Sequence, residues 1–314
     1  MSDLVAPMPW FGSKRTVAAE IWQRLGNVEN FVEPFFGSGA TLLARPHAAK
    51  TETVNDADHF LVNFWRAVKD DPDQVAHFAD YIVSEADLQG RHYWLITEGR
   101  ERIARCAGDP DYYDPNVAGW WLWGACAWIG SGWCSGEGPW AWDGEDWRGI
   151  NRKLPHFGDA GQGSFILDWM QNLAARLRHV RVACGDWSRV CGDSVTWRHG
   201  MTGVFLDPPY GVEDRATVYS QDDRDVASKA RDWAIAAGRR ADMRIALASY
   251  DSDVAPPEGW AVYRWKAQGG YGSQGQADGR INAGRETIWF SPACLPPTQA
   301  DLFAPARVFE ATAP

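Results

Sequence analysis

Short apolar runs that end in glycine or in an acidic residue recur along the chain and predict an α/β fold. The first run, Val28 to Val32, leads into a glycine-rich turn, after which apolar residues follow at helical spacing. A second run, Thr51 to Val54, ends at Asp56, and helical spacing follows again from His59 to Lys69. Strands that alternate with helices in this way are typical of a parallel sheet covered by helices.

The same alternation returns in the second half of the chain. Two apolar runs end at acidic residues, a helix and a buried strand come next, and two further strands form a closing hairpin. These predicted elements are strands Val180 to Ala183 and Thr202 to Leu206, helix Arg224 to Gly238, strand Arg244 to Ala248, and strands Trp260 to Trp265 and Glu286 to Phe290.

Between about 75 and 178 the strand–helix rhythm stops and helical stretches with a Trp- and Gly-rich region replace it. This pattern predicts a subdomain inserted into a catalytic domain made of residues 1–74 and 179–291. Residues 292–314 are rich in proline and predict a loosely held tail.

Composition supports a globular protein and excludes several classes. The chain has 314 residues, 23% of them charged, and a net charge of -10, which argues against disorder and against nonspecific coating of nucleic acid. Its six cysteines form no C-x-x-C pair and no Cys/His cluster, so no metal site and no disulfide framework are expected.

The uncharged stretch from Pro115 to Gly136 raises the question of a membrane span. It contains few aliphatic residues, is diluted by Gly and Ser, and carries tryptophan along its whole length instead of at two belts. A buried helix followed by a loop explains it better. The N-terminal residues also lack the pattern of a secretory signal, so a cytoplasmic protein without a membrane partner is expected.

The predicted strand ends carry the candidate chemistry, because ligands of open parallel sheets bind at the carboxyl ends of the strands. The turn at Gly37 and Gly39 would let backbone approach a ligand closely, although such a turn also serves as an ordinary strand–helix connection. Asp56 is suited to accept the two hydroxyls of a ribose or, alternatively, to cap the next helix.

The segment Asp207-Pro208-Pro209-Tyr210 is more specific. Two consecutive prolines stiffen the loop, so that the Asp207 carboxylate, the Pro208 carbonyl and the Tyr210 ring are presented together. This set suits a planar ring that carries an amino group: the carboxylate and the carbonyl each accept one N–H while the ring stacks on tyrosine. The alternative is a stiff turn with a surface aspartate.

Five short blocks, in this order, resemble the Dam-like family of DNA adenine methylases, the alpha-type amino-methyltransferases that depend on S-adenosylmethionine. The matching blocks are Trp10 to Lys14, Val32 to Gly39, Asn55-Asp56, Gly185-Asp186-Trp187 and Asp207 to Tyr210. The resemblance implies a Rossmann-like class I methyltransferase sheet and makes 75–178 an inserted, mainly helical target-recognition subdomain.

The resemblance also implies roles for individual residues. Asp207, Pro208 and Tyr210 would line the catalytic pocket, where the exocyclic N6 amine of a flipped adenine accepts the methyl group. Double-stranded DNA would be the partner. The residues that would bind S-adenosylmethionine are Trp10, Lys14, Phe35, Gly37, Gly39, Asp56, Asp186, Trp187 and Asp207.

The inserted region departs from the family, so its target sequence cannot be transferred. Eight of the 19 tryptophans fall between Trp120 and Trp147. Those from Trp120 to Trp128 have helical spacing and are predicted to be core, whereas Trp133 and Trp140 lie in Gly-rich sequence and are candidates for stacking on bases.

Cations in the same region predict a phosphate-binding strip, with a solvated helix face as the alternative. A second DNA contact is predicted beside the Gly-rich segment Gly269 to Gln276, which would otherwise be a simple hairpin tip. The cationic DNA-binding candidates are Arg148, Arg152, Lys153, Arg280 and Arg285, and the strip continues through Arg176, Arg178 and Arg181.

Three alternatives stay open at the level of sequence. The same carboxylate–carbonyl pair serves transfer to the N4 amine of cytosine, the fold can be kept by a catalytically silent DNA-binding regulator, and an RNA substrate is not excluded by the residues. The resemblance allows a partner restriction enzyme but does not require one. A monomer or weak dimer is expected.

Overall fold

The computed structural model describes residues 4–8, 10, 14–48, 50–128, 133–134, 165–209, 225–250, 255–265 and 286–297. In this part of the chain, seven strands form one sheet in the order β3-β2-β1-β4-β5-β7-β6. The strands are β1 Asn30–Glu33, β2 Thr51–Asp56, β3 Val180–Cys184, β4 Thr202–Leu206, β5 Met243–Tyr250, β6 Ala261–Arg264 and β7 Glu286–Phe290.

The topology of the sheet confirms the predicted Rossmann-like α/β fold. Strands β1 to β5 pair in parallel, and β7 lies antiparallel between β5 and β6. The chain proceeds from β1 outward to β3 and then returns to β4 on the other side of β1. The strand order therefore reverses between β1 and β4, which is where ligands bind in folds of this class.

Helices connect the strands and cover both faces of the sheet. Among the described residues they are α1 Ala18–Leu25, α2 Ala40–Leu43, α3 His59–Asp70, α4 Pro72–Ala79, α5 Glu85–Trp94, α6 Arg100–Ile103, α7 Pro115–Ala127, α8 Phe165–Leu177 and α9 Val226–Ala237. The helices predicted at 59–69 and 224–238 correspond to α3 and α9. A π-helical turn at Leu95–Gly99 joins α5 to α6.

One face of the sheet shares its core with the region from 75 to 178. Phe31 of β1 and Phe205 of β4 belong to the same apolar cluster as Val75 of α4, Leu122 of α7 and Leu173 of α8. Helices α4 and α7 pack on each other, and α3 packs against α7. Helices α4, α7 and α8 therefore share one apolar core with the sheet. Its limits as a separate subdomain remain a prediction.

The tryptophans of α7 belong mainly to the core, as their helical spacing predicts. Trp121 and Trp123 are 5% and 0% exposed, and Trp128 beyond the helix is 6% exposed. Because α7 has 13 residues, about 20 Å of helix, it is shorter than the ~30 Å apolar layer of a bilayer. No helix in the described ranges is long and apolar enough to cross a membrane.

Candidate active site

The glycine loop after β1 has the backbone geometry that its sequence predicts. Gly37 and Gly39 have φ of 49° and 64°, in the left-handed region that favours glycine. A Cβ atom on Gly37 would lie 2.7 Å from Nε1 of Trp10, so the Trp10 ring packs directly on the loop backbone. On the other side, Trp65 Nε1 donates to the Gly37 carbonyl over 3.0 Å. The fold thus brings Trp10 and this loop together.

Asp56, at the end of β2, holds the glycine loop in place by a hydrogen bond to its backbone. Its carboxylate accepts a hydrogen bond from the Gly37 N–H over 3.0 Å and another from the Asp58 N–H over 3.0 Å. Asp58, and not Asp56, caps α3 by accepting from the Phe60 and Leu61 amides. The cap that the sequence offered as an alternative role for Asp56 therefore belongs to its neighbour.

The electrostatics of Asp56 are those of a buried acid. Burial raises the pKa of Asp56 to about 6, while the hydrogen bonds from Gly37 and Asp58 oppose the rise. A carboxylate with such a pKa changes charge close to neutrality and can accept hydroxyl hydrogen bonds when ionised. This property is compatible with the predicted contact to a ribose.

Asp186 and Trp187 come directly after β3. Trp187 lies beside Phe35, in an apolar cluster separate from the one that contains Phe31. The Phe35 and Trp187 rings are stacked, with centroids 5.9 Å apart and an angle of 28° between their planes. Asp186 accepts hydrogen bonds from the amide and the hydroxyl of Ser188, which fixes the turn that holds Trp187. Two predicted cofactor residues from distant parts of the chain are thus in contact, with Trp187 largely buried.

Asn55 connects the loops after β1 and β3. Its side-chain amide, in a residue that is 1% exposed, donates to the carbonyl of Pro34 over 3.1 Å and to that of Gly185 over 2.9 Å. The sequence matched Asn55 to the family pattern without giving it a task. The structure assigns it the task of holding two of the ligand-facing loops in register.

Asp207, at the end of β4, forms an ion pair with Lys14. Lys14 Nζ lies 2.9 Å from Asp207 Oδ2 and 3.7 Å from Glu286 Oε2 of β7. The lysine is 4% exposed, Asp207 is partly exposed, and Pro208 beside it is buried. Because Lys14 is shielded from water, the contact is screened less than a surface ion pair and orients the Asp207 carboxylate.

Glu33 is a candidate site residue that the sequence reasoning missed. It ends β1 next to the glycine loop and is 2% exposed, and its Oε2 atom has no hydrogen-bond partner among the described residues. Burial, and then the charge of Asp207, raise the pKa of Glu33 well above its usual range. The available signal was an acidic residue closing an apolar strand directly before a glycine turn.

Trp133 packs inside the protein in this structure. Its ring fills the notch over Gly124 of α7, and its Nε1 donates to the Trp121 carbonyl over 2.9 Å. His92 stacks on Trp128 and contacts Trp133, which encloses the Trp133 ring on a second side. Stacking of Trp133 on a DNA base, as predicted, would require this packing to open.

Arg176 corrects the predicted phosphate-binding strip. Its guanidinium donates to both carboxylate oxygens of Glu52, over 2.7 and 2.9 Å, and to the Leu42 carbonyl. It is therefore engaged by the protein interior, whereas Arg178 and Arg181 are exposed. The predicted site residues Trp140, Arg148, Arg152, Lys153, Tyr210, Arg280 and Arg285 lie outside the described residues.

The site fits a nucleoside that carries positive charge. The glycine loop carries the Trp10 ring against Gly37, the Phe35 and Trp187 rings stack beside it, and the buried Glu33 oxygen lacks a partner in the described part of the site. S-adenosylmethionine combines an adenine ring, a ribose and a sulfonium. The described residues contain no His, Cys, Asp and Glu grouping that could hold a metal ion.

Residues 10–113 match a family model described as D12 class N6 adenine-specific DNA methyltransferase. This match confirms the resemblance to the DNA adenine methylases over about a third of the chain, including Trp10, Lys14, the glycine loop and Asp56. It ends before Asp186, Trp187 and Asp207, and the roles of all the site residues, inside and outside the match, stay predictions. No curated protein matches the chain.

Proposed function

We propose that this chain, whose residues 10–113 match the D12 class of N6 adenine-specific DNA methyltransferases, methylates the N6 amine of adenine in double-stranded DNA with S-adenosylmethionine as the donor. The observation that carries the proposal is the ion pair between the buried Lys14 and the partly exposed Asp207 at the carboxyl end of β4. It lies at the reversal of strand order, beside the glycine loop of the matched region.

S-adenosylmethionine, when bound, supplies a methyl group activated by its sulfonium: the S–CH₃ bond breaks with its electron pair left on sulfur, and the N6 lone pair forms the new N–C bond. The adenine amine is a weak nucleophile because its lone pair is delocalised into the ring. The protein must therefore hold the nitrogen in line and stabilise the positive charge that develops on it.

In the proposal, Asp207 performs that task. The ion pair with Lys14 fixes its carboxylate, and Pro208 and Pro209 stiffen the chain that follows. In the proposal, Asp207 and the Pro208 carbonyl accept the two N–H groups of the amine, and the nitrogen releases one proton to solvent after the methyl group has been transferred. No covalent intermediate with the protein is needed.

The adenine must leave the duplex to reach a site at the edge of the sheet. We propose that Tyr210 stacks on the flipped base, and that Arg148, Arg152, Lys153, Arg280 and Arg285 contact phosphates, with Trp140 or Trp133 stacking near the vacated position. Trp133 has to exchange its packing over Gly124 for this role. Flipping exposes the base at a cost of a few kcal/mol, which stacking on an aromatic ring offsets.

The experiment is methyl transfer to DNA by the purified protein, read by mass spectrometry of the digested DNA. N6-methyladenine is expected. The Asp207→Asn variant should lose about 10²- to 10³-fold in kcat, because one acceptor of the developing charge is weakened. The matched control is Asp242→Asn, which removes an exposed carboxylate paired with Arg240 at 2.8 Å and should leave kcat unchanged.

The outcomes separate the alternatives. N4-methylcytosine as the product would mean that the same site acts on cytosine instead of adenine. Absence of a labelled methyl group from any nucleic acid would favour a catalytically silent DNA-binding regulator. Full activity in Asp207→Asn would remove Asp207 from the mechanism.

DNA contact by the segment near 280 is tested through salt dependence. Replacing both Arg280 and Arg285 by alanine should weaken binding of duplex DNA and lower the slope of log K against log salt by about 2, because each phosphate contact contributes about one unit. An unchanged slope would show that neither arginine touches phosphate. The paired substitution Arg239→Ala and Arg231→Ala, near α9, serves as a charge-matched control.

A further inference from the structure

Glu33 and Asp207 are carboxylates at the same edge and on the same face of the sheet. Side chains alternate between faces along a strand, so Glu33 shares the face of Phe31, and Asp207 that of Phe205. Phe31 and Phe205 belong to one apolar cluster, and β1 pairs directly with β4. The charge of Asp207, after burial, raises the pKa of Glu33, as expected for carboxylates placed in this way.

The charged groups around Glu33 do not neutralise it. Asp207, after β4, and Glu52, on β2, are both acidic and both act on it unfavourably. Lys14, before α1, contacts Asp207 and Glu286 of β7 instead. The Oε2 atom of Glu33 has no hydrogen-bond partner within the described ranges. A buried carboxylate in such surroundings costs free energy unless it carries a proton or meets a cation.

We propose that Glu33 is a specificity-determining residue that favours the positively charged methyl donor over its neutral product. Ionised Glu33 attracts the sulfonium charge of S-adenosylmethionine, and this charge is absent from S-adenosylhomocysteine, which is otherwise nearly identical. The inference rests on the proposed function, because it presupposes that this pair is donor and product. It gives Glu33 a role in exchanging product for donor after each turnover.

The proposal has a consequence for protons. In the protein without ligand, burial and Asp207 favour the protonated form of Glu33 at pH values where an ordinary glutamate is ionised. A cation bound beside Glu33 favours the ionised form, so binding of the donor releases a proton. By linkage, affinity for the donor rises with pH until the raised pKa of Glu33 has been passed, and affinity for the product rises less.

Isothermal titration calorimetry of the intact protein without DNA tests the proposal. S-adenosylmethionine and S-adenosylhomocysteine are titrated separately between pH of about 5.5 and about 7.5, in pairs of buffers with different ionisation enthalpies. We expect the wild type to release more protons with the donor than with the product. Its preference for the donor should grow by about tenfold across this range, which corresponds to one pH unit of linked ionisation.

Variants assign the effect to Glu33. Glu33→Gln should abolish the additional proton release and reduce the preference for the donor by about tenfold, while Glu33→Asp should keep part of both because it keeps the charge. Glu29→Gln is the matched control: Glu29 is exposed and lies directly before β1, at the end of the strand opposite to Glu33, where its carboxylate accepts from the Met201 amide, and neither quantity should change.

Each outcome is decisive. A wild-type preference that is independent of pH, or one that survives in a folded Glu33→Gln protein, would overturn the role of Glu33 and leave the proposed methyl transfer intact. Failure of the wild type to bind either ligand would instead overturn the proposed donor itself, and this inference with it. If Glu33→Gln does not fold, the wild-type pH series still decides.

Discussion

Two buried glutamates on neighbouring strands, Glu52 and Glu33, have the same chemistry and opposite surroundings. Glu52 is 1% exposed and is bound by two guanidinium groups, with Arg45 at 2.9 Å and Arg176 at 2.7 Å. Glu33 is 2% exposed, and the charges that act on it are those of Asp207 and of Glu52. Glu52 thus has its counter-charges within the protein, and Glu33 has none among the residues that the structure describes.

The difference follows from position along the strands. Glu52 pairs with Phe31 near the amino end of β1, where helices α2 and α8 close over the sheet and bring the arginines with them. Glu33 lies at the carboxyl end, where the chain leaves for the glycine loop and where ligands bind in folds of this class. A buried acid that the protein neutralises, such as Glu52, stabilises the fold. A buried acid without a counter-charge among the described residues, such as Glu33, is available to a cationic ligand.

The largest expected effect comes from removing Glu52. Glu52→Ala should lower the free energy of unfolding by about 3–5 kcal/mol, because two guanidinium groups remain in the interior without their carboxylate. Urea denaturation measures it. Glu29→Ala, an exposed acid on the approach to β1, should change it by no more than about 0.5 kcal/mol. A loss below 1 kcal/mol for Glu52→Ala would mean that the cluster contributes little to the fold.

A smaller effect is expected at the ligand end of the sheet. Gly37→Ala should weaken binding of S-adenosylmethionine by about tenfold, since the added Cβ, at 2.7 Å from Trp10 Nε1, displaces the ring that packs on the loop, and the φ of 49° disfavours alanine. Gly108→Ala is the control, because a Cβ there meets nothing within 4 Å. Unchanged affinity would separate Trp10 packing from cofactor binding.

The sign of the stability change should reverse at Glu33. Glu33→Gln should unfold at a higher temperature than the wild type near neutral pH, with a gain of about 1 kcal/mol. A raised pKa means that the folded state binds the proton more tightly than the unfolded state, so the wild type loses stability as pH rises from the usual glutamate range to the raised pKa. The variant, which cannot ionise, should lack this decline.

Thermal melting of both proteins over this pH range checks the prediction. At acidic pH their stabilities should converge, because Glu33 is then neutral in the wild type. A variant that is less stable than the wild type at neutral pH would show that Glu33 has a counter-charge after all.

The smallest effect concerns the geometry of the neutralised cluster. Arg176→Lys keeps the charge but loses the two-pronged contact to Glu52 and the bond to Leu42, so it should cost about 1 kcal/mol of unfolding free energy. DNA binding should not change, whereas Arg178→Ala, at an exposed position, tests what remains of the predicted phosphate strip. Weaker DNA binding by Arg176→Lys would return Arg176 to that strip.

Much of the fold was accessible from the sequence because apolar runs mark buried strands. The run at Thr202 to Leu206 coincides with β4, and Glu286 to Phe290 with β7. The run at Val28 to Val32 is displaced by one or two residues from β1, which begins at Asn30 and ends at Glu33. Hydrogen bonds to β2 and β4 set these limits, and they depend on partners far along the chain.

The sequence indicated which residues the fold would bring together at the candidate site, but it did not indicate the charges and hydrogen bonds around each of them. The sequence proposed Trp10, Gly37, Asp56 and Asp207, and the structure shows Trp10 against the loop, Asp56 bonded to Gly37, and Lys14 paired with Asp207. It did not separate Asp56 from Asp58 as the cap of α3, because both precede the helix. That choice depends on which carboxylate meets the Gly37 amide.

The sequence by itself determined the alternation of strands and helices, the turns that need glycine, and the residue types at the strand ends, because these follow from local periodicity and backbone sterics. The tertiary structure alone decided that Arg176 binds Glu52 across 124 residues of chain, and that Glu33 has no such partner within the described ranges. Whether a buried acid is neutralised depends on the charges that folding brings within a few ångströms, and sequence separation does not record that distance.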